Sequence, residues 1–343
     1  MMSQSLLKNK DMKETGTVFI GIDVSKLVLD VCILNDGGVF HRQIKNTSKD
    51  IQSFFNKLIR TNKSRRIAVC MENTGYYNWP CYEVFEKIAL DVYVINPLHL
   101  KRSLGMVRGK NDVIDAHRIA RFIALHSSEL KVTKIARTEI RQLQALLAQR
   151  NRLIEVKTKL SVPVKELSFM ADKNLIKQVS EGNREIIKGL DRQIKVIEKQ
   201  MDALVSADQE LCEIYKYATS VQGVGKVLAW TLLIKTNEFK SINDPRKLAC
   251  YAGVVPFEYQ SGSSIYKKPK VSYMADKTLK KLLHLSAMRV IQLKGELQAY
   301  YQRKVAEGKN KMLALNAVRN KIVARICAMV NNKKLYQIDL HLS

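Results

Sequence analysis

Apolar residues over the first hundred positions fall in short blocks and alternations, the pattern of strands rather than of long helices. Thr17 to Ser25 is rich in β-branched residues. Its alternating faces are both apolar, Phe19 on one and Val18, Ile20 and Ile22 on the other, which predicts a strand covered on both sides. Leu27 to Leu34 lies close enough to pair with it as a hairpin, and after the Gly37-Gly38 turn Val39 to Lys45 reads as a third strand. Thr47 and Asp50 then resemble a capping box, opening a helix through Arg60 with Ile51, Phe54, Phe55 and Leu58 as its buried stripe. Ile67 to Met71 is a short buried strand ending in Glu72-Asn73-Thr74-Gly75. A helix around Trp79 to Ala89, a strand over Val92 to Asn96 and a helix starting at Asp112 follow. Three strands and then alternating helix and strand predict an α/β layer fold.

Farther along, the period becomes helical. Leu143, Leu146, Leu147, Leu153, Ile154 and Leu160 form one stripe that ends near Pro163. Ile187, Leu190, Ile194, Ile197, Met201 and Leu204 form a heptad seam. It is short for an independent coiled coil, so it is either one arm of an antiparallel hairpin with the earlier stripe or a contact between subunits. From Ser220 the character changes again. Gly223 and Gly225 lie between helices, as in a helix-hairpin-helix turn whose N–H groups hold a phosphate, or in a simple tight turn. Pro245 to Tyr251 reads as a helix, Ser261-Gly262-Ser263-Ser264 as a turn-prone segment, and Asp276 to Val330 as a set of basic helices.

Composition sharpens this picture in one direction. Among 343 residues, 58 Lys and Arg stand against 32 Asp and Glu, a net charge of +26, and from Lys216 onward 23 basic residues face 7 acidic ones. An excess spread through folded-looking sequence suits a protein that neutralises many phosphates, so nucleic acid is the expected partner. Six scattered cysteines with no C-x-x-C pair argue against a zinc site or a disulfide framework. No run approaches the length of a membrane span and the polar, basic start carries no signal-peptide core. A cytoplasmic protein with no membrane partner is therefore expected.

The candidate chemistry is carboxylate. Asp112 and Asp115 share a face of a helix's first turn, where the macrodipole alone could explain them as a solvated helix start. Asp23 interrupts an otherwise apolar strand and is costly there unless paired, metal-bound or already in water at the strand's end. Glu72 ends a buried strand before a glycine turn, where open α/β sheets collect ligands. If the first and fourth strands are neighbours, these four acids converge on one rim and can hold one or two divalent ions.

The stretches Phe19-Ile-Gly-Ile-Asp-Val-Ser-Lys26, Glu72-Asn-Thr-Gly75 and Lys110-Asn-Asp-Val-Ile-Asp-Ala116 resemble the DEDD signature of insertion-sequence transposases with a RuvC-like N-terminal domain, the group that includes the Piv-type DNA invertases. Asp23, Glu72, Asp112 and Asp115 match its four acids. Asn111 stands where the family more often has Thr or Ser. Tyr251-Ala-Gly-Val-Val-Pro256 followed by Ser261-Gly262 looks like the family's C-terminal transposase domain, in which a serine before glycine is the nucleophile. Ser261 is the candidate by that match, with Ser263 and Ser264 close by.

The resemblance implies an RNase H/RuvC-like mixed sheet with flanking helices (residues 17–126), a helical coiled-coil connection (127–215) and a mainly helical C-terminal domain (216–331), between a basic tail (1–16) and a short end (332–343). It implies Mg²⁺ as cofactor, a covalent phosphoserine intermediate, donor and target DNA, a structured noncoding guide RNA and a homo-oligomer, dimer or tetramer. Lys110, Gly223, Gly225, Lys267, Lys268 and Lys270 are the expected nucleic-acid contacts. Lys277, Lys280, Lys281, Arg289, Arg319, Lys321 and Arg325 are an expected phosphate-facing surface. Two other readings stay open: a RuvC-like nuclease that cuts branched DNA with activated water, and a nucleic-acid-binding protein whose acids are structural.

Overall fold

A computed structural model describes residues 16–63, 65–103, 111–167, 169, 173–261 and 265–337. The chain divides into two compact units between Arg137 and Thr138.

The first unit is built on a five-stranded mixed sheet. β1 (Thr17–Val24), β2 (Val28–Asn35) and β3 (Gly38–Lys45) form an antiparallel meander. α1 (Ser48–Thr61) then crosses over so that β4 (Arg66–Glu72) returns parallel to β1. α2 (Trp79–Phe85) leads to β5 (Asp91–Ile95), parallel to β4, giving the order β3-β2-β1-β4-β5. Short α3 (Pro97–Ser103) and α4 (Asp112–His126) complete the unit. The central position of β1 explains its two apolar faces. Val18, Ile20 and Ile22 pack with Ile51 and Phe55 of α1 and Val84 and Phe85 of α2. Phe19 lies on the other face with Cys32, Ala68, Cys70 and Tyr93, under Ala116, Ile119 and Ile123 of α4. The two edges are finished differently. Thr133 covers β5 by giving its N–H to Val92 O at 2.7 Å and taking that of Val94 on its hydroxyl at 2.9 Å. β3 is exposed at nearly every position, and among the described residues no strand pairs with its outer edge.

The second unit opens with α5 (Thr138–Leu167) and α6 (Lys173–Ala207). Arg150 meets Glu198 at 2.7 Å, Lys157 meets Asp191 at 2.5 Å, and Asn183 donates to Leu160 O at 3.3 Å. The partners run in opposite directions along the two helices, so the pair is an antiparallel hairpin. α7 (Gln209–Ser220), α8 (Lys226–Thr236), α9 (Pro245–Tyr251), α10 (Lys277–Val290), α11 (Glu296–Ala306) and α12 (Lys311–Asn332) surround one apolar core, in which Leu232, Leu248, Leu283 and Ile322 are fully buried. Between α9 and α10 stands a two-stranded hairpin, β6 (Pro256–Ser261) and β7 (Ile265–Val271), where the sequence suggested only a turn-prone segment. Among the described residues no helix is long and apolar enough to cross a membrane.

Candidate active site

Alternation along β1 puts Phe19, Gly21 and Asp23 on the face under α4, and the parallel register of β4 places Glu72 one step past the pair Ile22–Met71, level with Asp23. The turn after Glu72 is held by Asn78, which is fully buried. Its amide donates to Glu72 O at 2.8 Å, and its oxygen accepts from the Thr74 N–H at 2.7 Å and hydroxyl at 2.6 Å. Gly75 takes φ +73° there, a backbone state that a side chain would strain.

α4 brings the other two acids. Asn111 caps it, accepting from Val113 N at 3.0 Å, so the residue that departs from the family pattern does the work of a Ser or Thr cap. Gly21 determines how closely this helix lies on the sheet: a Cβ there would come within 2.2 Å of Ala116 O and of Ala120 N. With only hydrogen at that point, α4 rests on β1 through Ala116 and Ala120, and the turn before them carries Asp112 and Asp115 near enough to act on Asp23. Asp115 is paired with Arg118 at 2.7 Å.

The electrostatics register this convergence. Burial, followed by the carboxylates of Asp112, Asp115, Glu72 and Asp30, pushes the Asp23 carboxyl up to about 6. Asp30 escaped the sequence reading. It is buried directly opposite Asp23 across the β1–β2 hairpin and accepts from Gln43 Nε2 at 3.0 Å. An acid in the apolar run of the second strand was its signal. Among the described residues no three potential ligands are gathered tightly enough to form a ready-made metal cluster. The donor set is nonetheless all oxygen and its negative charge is mutually reinforcing, which fits a hard divalent cation. Beside the rim, a cleft of about 450 Å³ is lined by Ser103, His117, Arg118, Arg121 and Phe122. Burial, with His41, Arg121 and Arg118 adding to it, lowers the His117 pKa and favours the neutral imidazole.

In the second unit Ser261 ends β6, paired through its backbone with Ile265, and Lys267 stands opposite Tyr259 on β7. Lys268 also lies on β7, and Lys270 is exposed opposite Phe257. Ser263, Ser264 and Lys110 lie outside the described residues. The two glycines of the α7–α8 turn differ from one another. Gly223, at φ +85°, packs so closely on α10 that a Cβ would come 2.2 Å from Val290 Cγ2, and its carbonyl accepts from Ser286 Oγ at 2.7 Å. Gly225 caps α8 with open space where a side chain would be, at a cleft of about 400 Å³ that Lys226 and Trp230 also line. Arg319 is a correction: expected on a phosphate-facing surface, it is 5% exposed on the side of α12 that meets His284 of α10.

A family model described as a transposase, of the DEDD type of IS110, matches residues 20–167, and a second, the transposase IS116/IS110/IS902 family, matches residues 215–302. The pilin gene-inverting protein of Moraxella bovis is 26% identical over 94% of this chain and 98% of its own length. The transposase for insertion sequence element IS1111A of Coxiella burnetii is 22% identical over 97% of this chain and 95% of its own. The solved structure of T. thermophilus RuvC in complex with a Holliday junction substrate is 15% identical, with a TM-score of 0.25, over 33% of this chain and 95% of that one. With both halves of the family pattern matched in order, one over residues 20–167 with the four acids and the other over residues 215–302 with the serine hairpin, the chain belongs to the IS110-type family of insertion-sequence transposases.

Proposed function

We propose that this transposase cuts and rejoins donor and target DNA through a covalent phosphoserine intermediate. The observation that carries the reading is the meeting of Asp23, Glu72, Asp112 and Asp115 on one rim, where each further carboxylate makes ionisation of Asp23 costlier. These residues would hold Mg²⁺. A bound Mg²⁺ supplies charge neutralisation at the phosphate oxygens and helps fix the phosphorus for in-line attack. Arg118 and Arg121 attract the phosphate backbone that the acids alone would repel. Ser261, from the same or another subunit, attacks phosphorus through Oγ. One P–O bond of the strand breaks, the departing sugar oxygen takes up a proton as a free hydroxyl, and the phosphodiester is kept as a serine ester. A hydroxyl from a new strand then displaces the serine, so no ATP is consumed.

In this reading the catalytic domain spans residues 17–126, a helical connection 127–215 and the serine-bearing domain 216–331. Lys110, Gly223, Gly225, Lys267, Lys268 and Lys270 contact nucleic acid. A structured noncoding RNA selects the sites, and a homo-oligomer, dimer or tetramer, brings the two DNAs together in the cytoplasm, on the nucleoid. Incubating the protein with end-labelled DNA and Mg²⁺ tests it. A covalent protein–DNA adduct is expected that disappears in Ser261→Ala. Metal-dependent cutting with no adduct would instead indicate a nuclease using activated water. Loss of the adduct only in Ser263→Ala or Ser264→Ala would move the nucleophile.

A further inference from the structure

A guanidinium stays protonated in proteins and is expensive to bury without a counter-charge. Arg319, on α12, is buried to 5% exposure, and among the described residues no carboxylate pairs with it. One of its terminal nitrogens lies 2.7 Å from His284 Nδ1 on α10 and the other 3.4 Å from Asn316 Oδ1, while the buried Nε has no hydrogen-bond partner. Arginine can only donate, so His284 Nδ1 must accept. The imidazole is then neutral with its proton on Nε2, a donor that no described residue uses. Burial, and then Arg319 itself, lower the His284 pKa in the same sense.

The surroundings of this pair link it to the serine hairpin. Asn316 Nδ2 donates to Val254 O at 2.7 Å, two residues before β6 begins. Gly253, at φ +65°, packs against Ala275, with Val271, which ends β7, and the stem of Lys280, one turn before His284 on α10, next nearest to where its Cβ would be. The stem of Lys280, one turn from His284 on α10, and the imidazole N–H of His284 backed by the uncompensated guanidinium of Arg319 thus flank the foot of the hairpin, about 16 Å along β6 from Ser261 at the usual strand rise.

We propose that Arg319, His284 and Lys280 form an anion site that takes a phosphodiester of the DNA strand, some nucleotides away from the phosphate attacked by serine. The choice of DNA as the source of the phosphate rests on the strand-exchange reading above; the anion site itself does not. His284 makes the contact, polarised by the charge behind it, and the bound phosphate supplies the counter-ion that Arg319 lacks. Without nucleic acid, that charge is carried at the expense of stability.

Thermal melts of the full chain in phosphate and in chloride at equal ionic strength test the anion site directly. The wild-type melting temperature should rise in phosphate. Arg319→Met should melt no lower than wild type in chloride and should lose the phosphate-dependent rise, with Arg319→Lys keeping part of it. His284→Leu, at a half-buried position, should also lose most of the rise without unfolding the protein. In the adduct assay the DNA concentration for half-maximal reaction should increase roughly tenfold in Arg319→Met, the loss of one charge-assisted contact. A large drop in melting temperature of Arg319→Met in chloride, or a phosphate response that persists in it or in His284→Leu, would overturn the proposal by making the arginine structural. A wild-type protein that forms no adduct but keeps an arginine-dependent phosphate response would sink the serine reading and leave the anion site standing. Competition by single-stranded RNA that is stronger than by DNA of the same length, and lost in Arg319→Met, would overturn the assignment to DNA.

Discussion

At the scale of single residues, the carboxylate rim depends on an absence of side chain. Gly21 lets α4 rest on β1, and a methyl group there would meet backbone atoms on the helix, which cannot rotate away. Gly21→Ala should therefore destabilise the protein by about 3 kcal/mol in urea denaturation and abolish strand cleavage together with any stabilisation by divalent ions. Asp23 gives a pH signature. Its folded pKa of about 6 lies above the usual 3.8, so ionising it costs folding free energy, and that cost grows as pH rises from about 4 to about 6. A divalent ion relieves the cost only where the acid is ionised. Melting temperatures with and without Mg²⁺ should differ clearly at pH 7.5 and converge below about pH 5.5. The places of the four acids were legible in the sequence, Asp23 within an apolar strand, Glu72 at the end of another and Asp112 and Asp115 in the first turn of a helix. Asp30 and Asn78 were not, since their importance comes from partners across a strand pair and across a turn. The burial of Arg319 was hidden for a similar reason: a basic residue on a long helix looks solvated until its neighbours are known.

At the scale of elements, the strands of the first unit follow directly from their apolar alternation, and the neighbouring of β1 and β4 that the acids require is present. The heptad seam, read as a hairpin arm or a subunit contact, packs within the chain against α5. Ile194, Ile197 and Met201 are buried as that spacing predicts, but the next buried position is Val205 rather than Leu204, because a straight helix drifts off a strict heptad. β6 and β7 were missed since serine, glycine and lysine dominate the segment and mask the alternation of Phe257, Tyr259 and Ile265. Asp276 shows how the following helix is anchored. It caps α10 by accepting from Leu279 N at 2.8 Å, and it takes Lys235 at 2.8 Å and the Tyr251 hydroxyl at 3.4 Å. Burial pushes its carboxyl up, but the Lys235 and Leu279 hydrogen bonds outweigh it and the net shift is downward. Its contribution is thus present above the ordinary aspartate range and is lost as pH falls through the lowered value. Asp276→Ala should cost about 2 kcal/mol near neutrality, from the lost cap and the stranded lysine, and its urea midpoint should approach that of wild type in strong acid.

At the scale of the whole molecule, the net charge of +26 makes ionic strength the main lever on nucleic-acid affinity. With six or more phosphates neutralised, DNA affinity should fall by about a thousandfold or more between 50 and 200 mM salt, measurable by fluorescence anisotropy. A nearly flat salt response would show that the positive surface is not what holds DNA. This charge was evident from composition alone, and the change from a strand-rich first part to a helical remainder from the period of the apolar residues. What composition could not reveal was which cations are spent internally, as Lys157 is on Asp191 and Lys235 on Asp276. The same positive excess bears on β3, whose outward N–H and C=O groups no described strand occupies and whose Val39 and Phe40 are half exposed. Such a border invites a second chain to zip onto it and grow into a fibril. Arg42 and Lys45 lie along that border, so two copies approaching edge to edge would bring like charges together, and the residues that suit a polyanion also keep the protein from polymerising on itself.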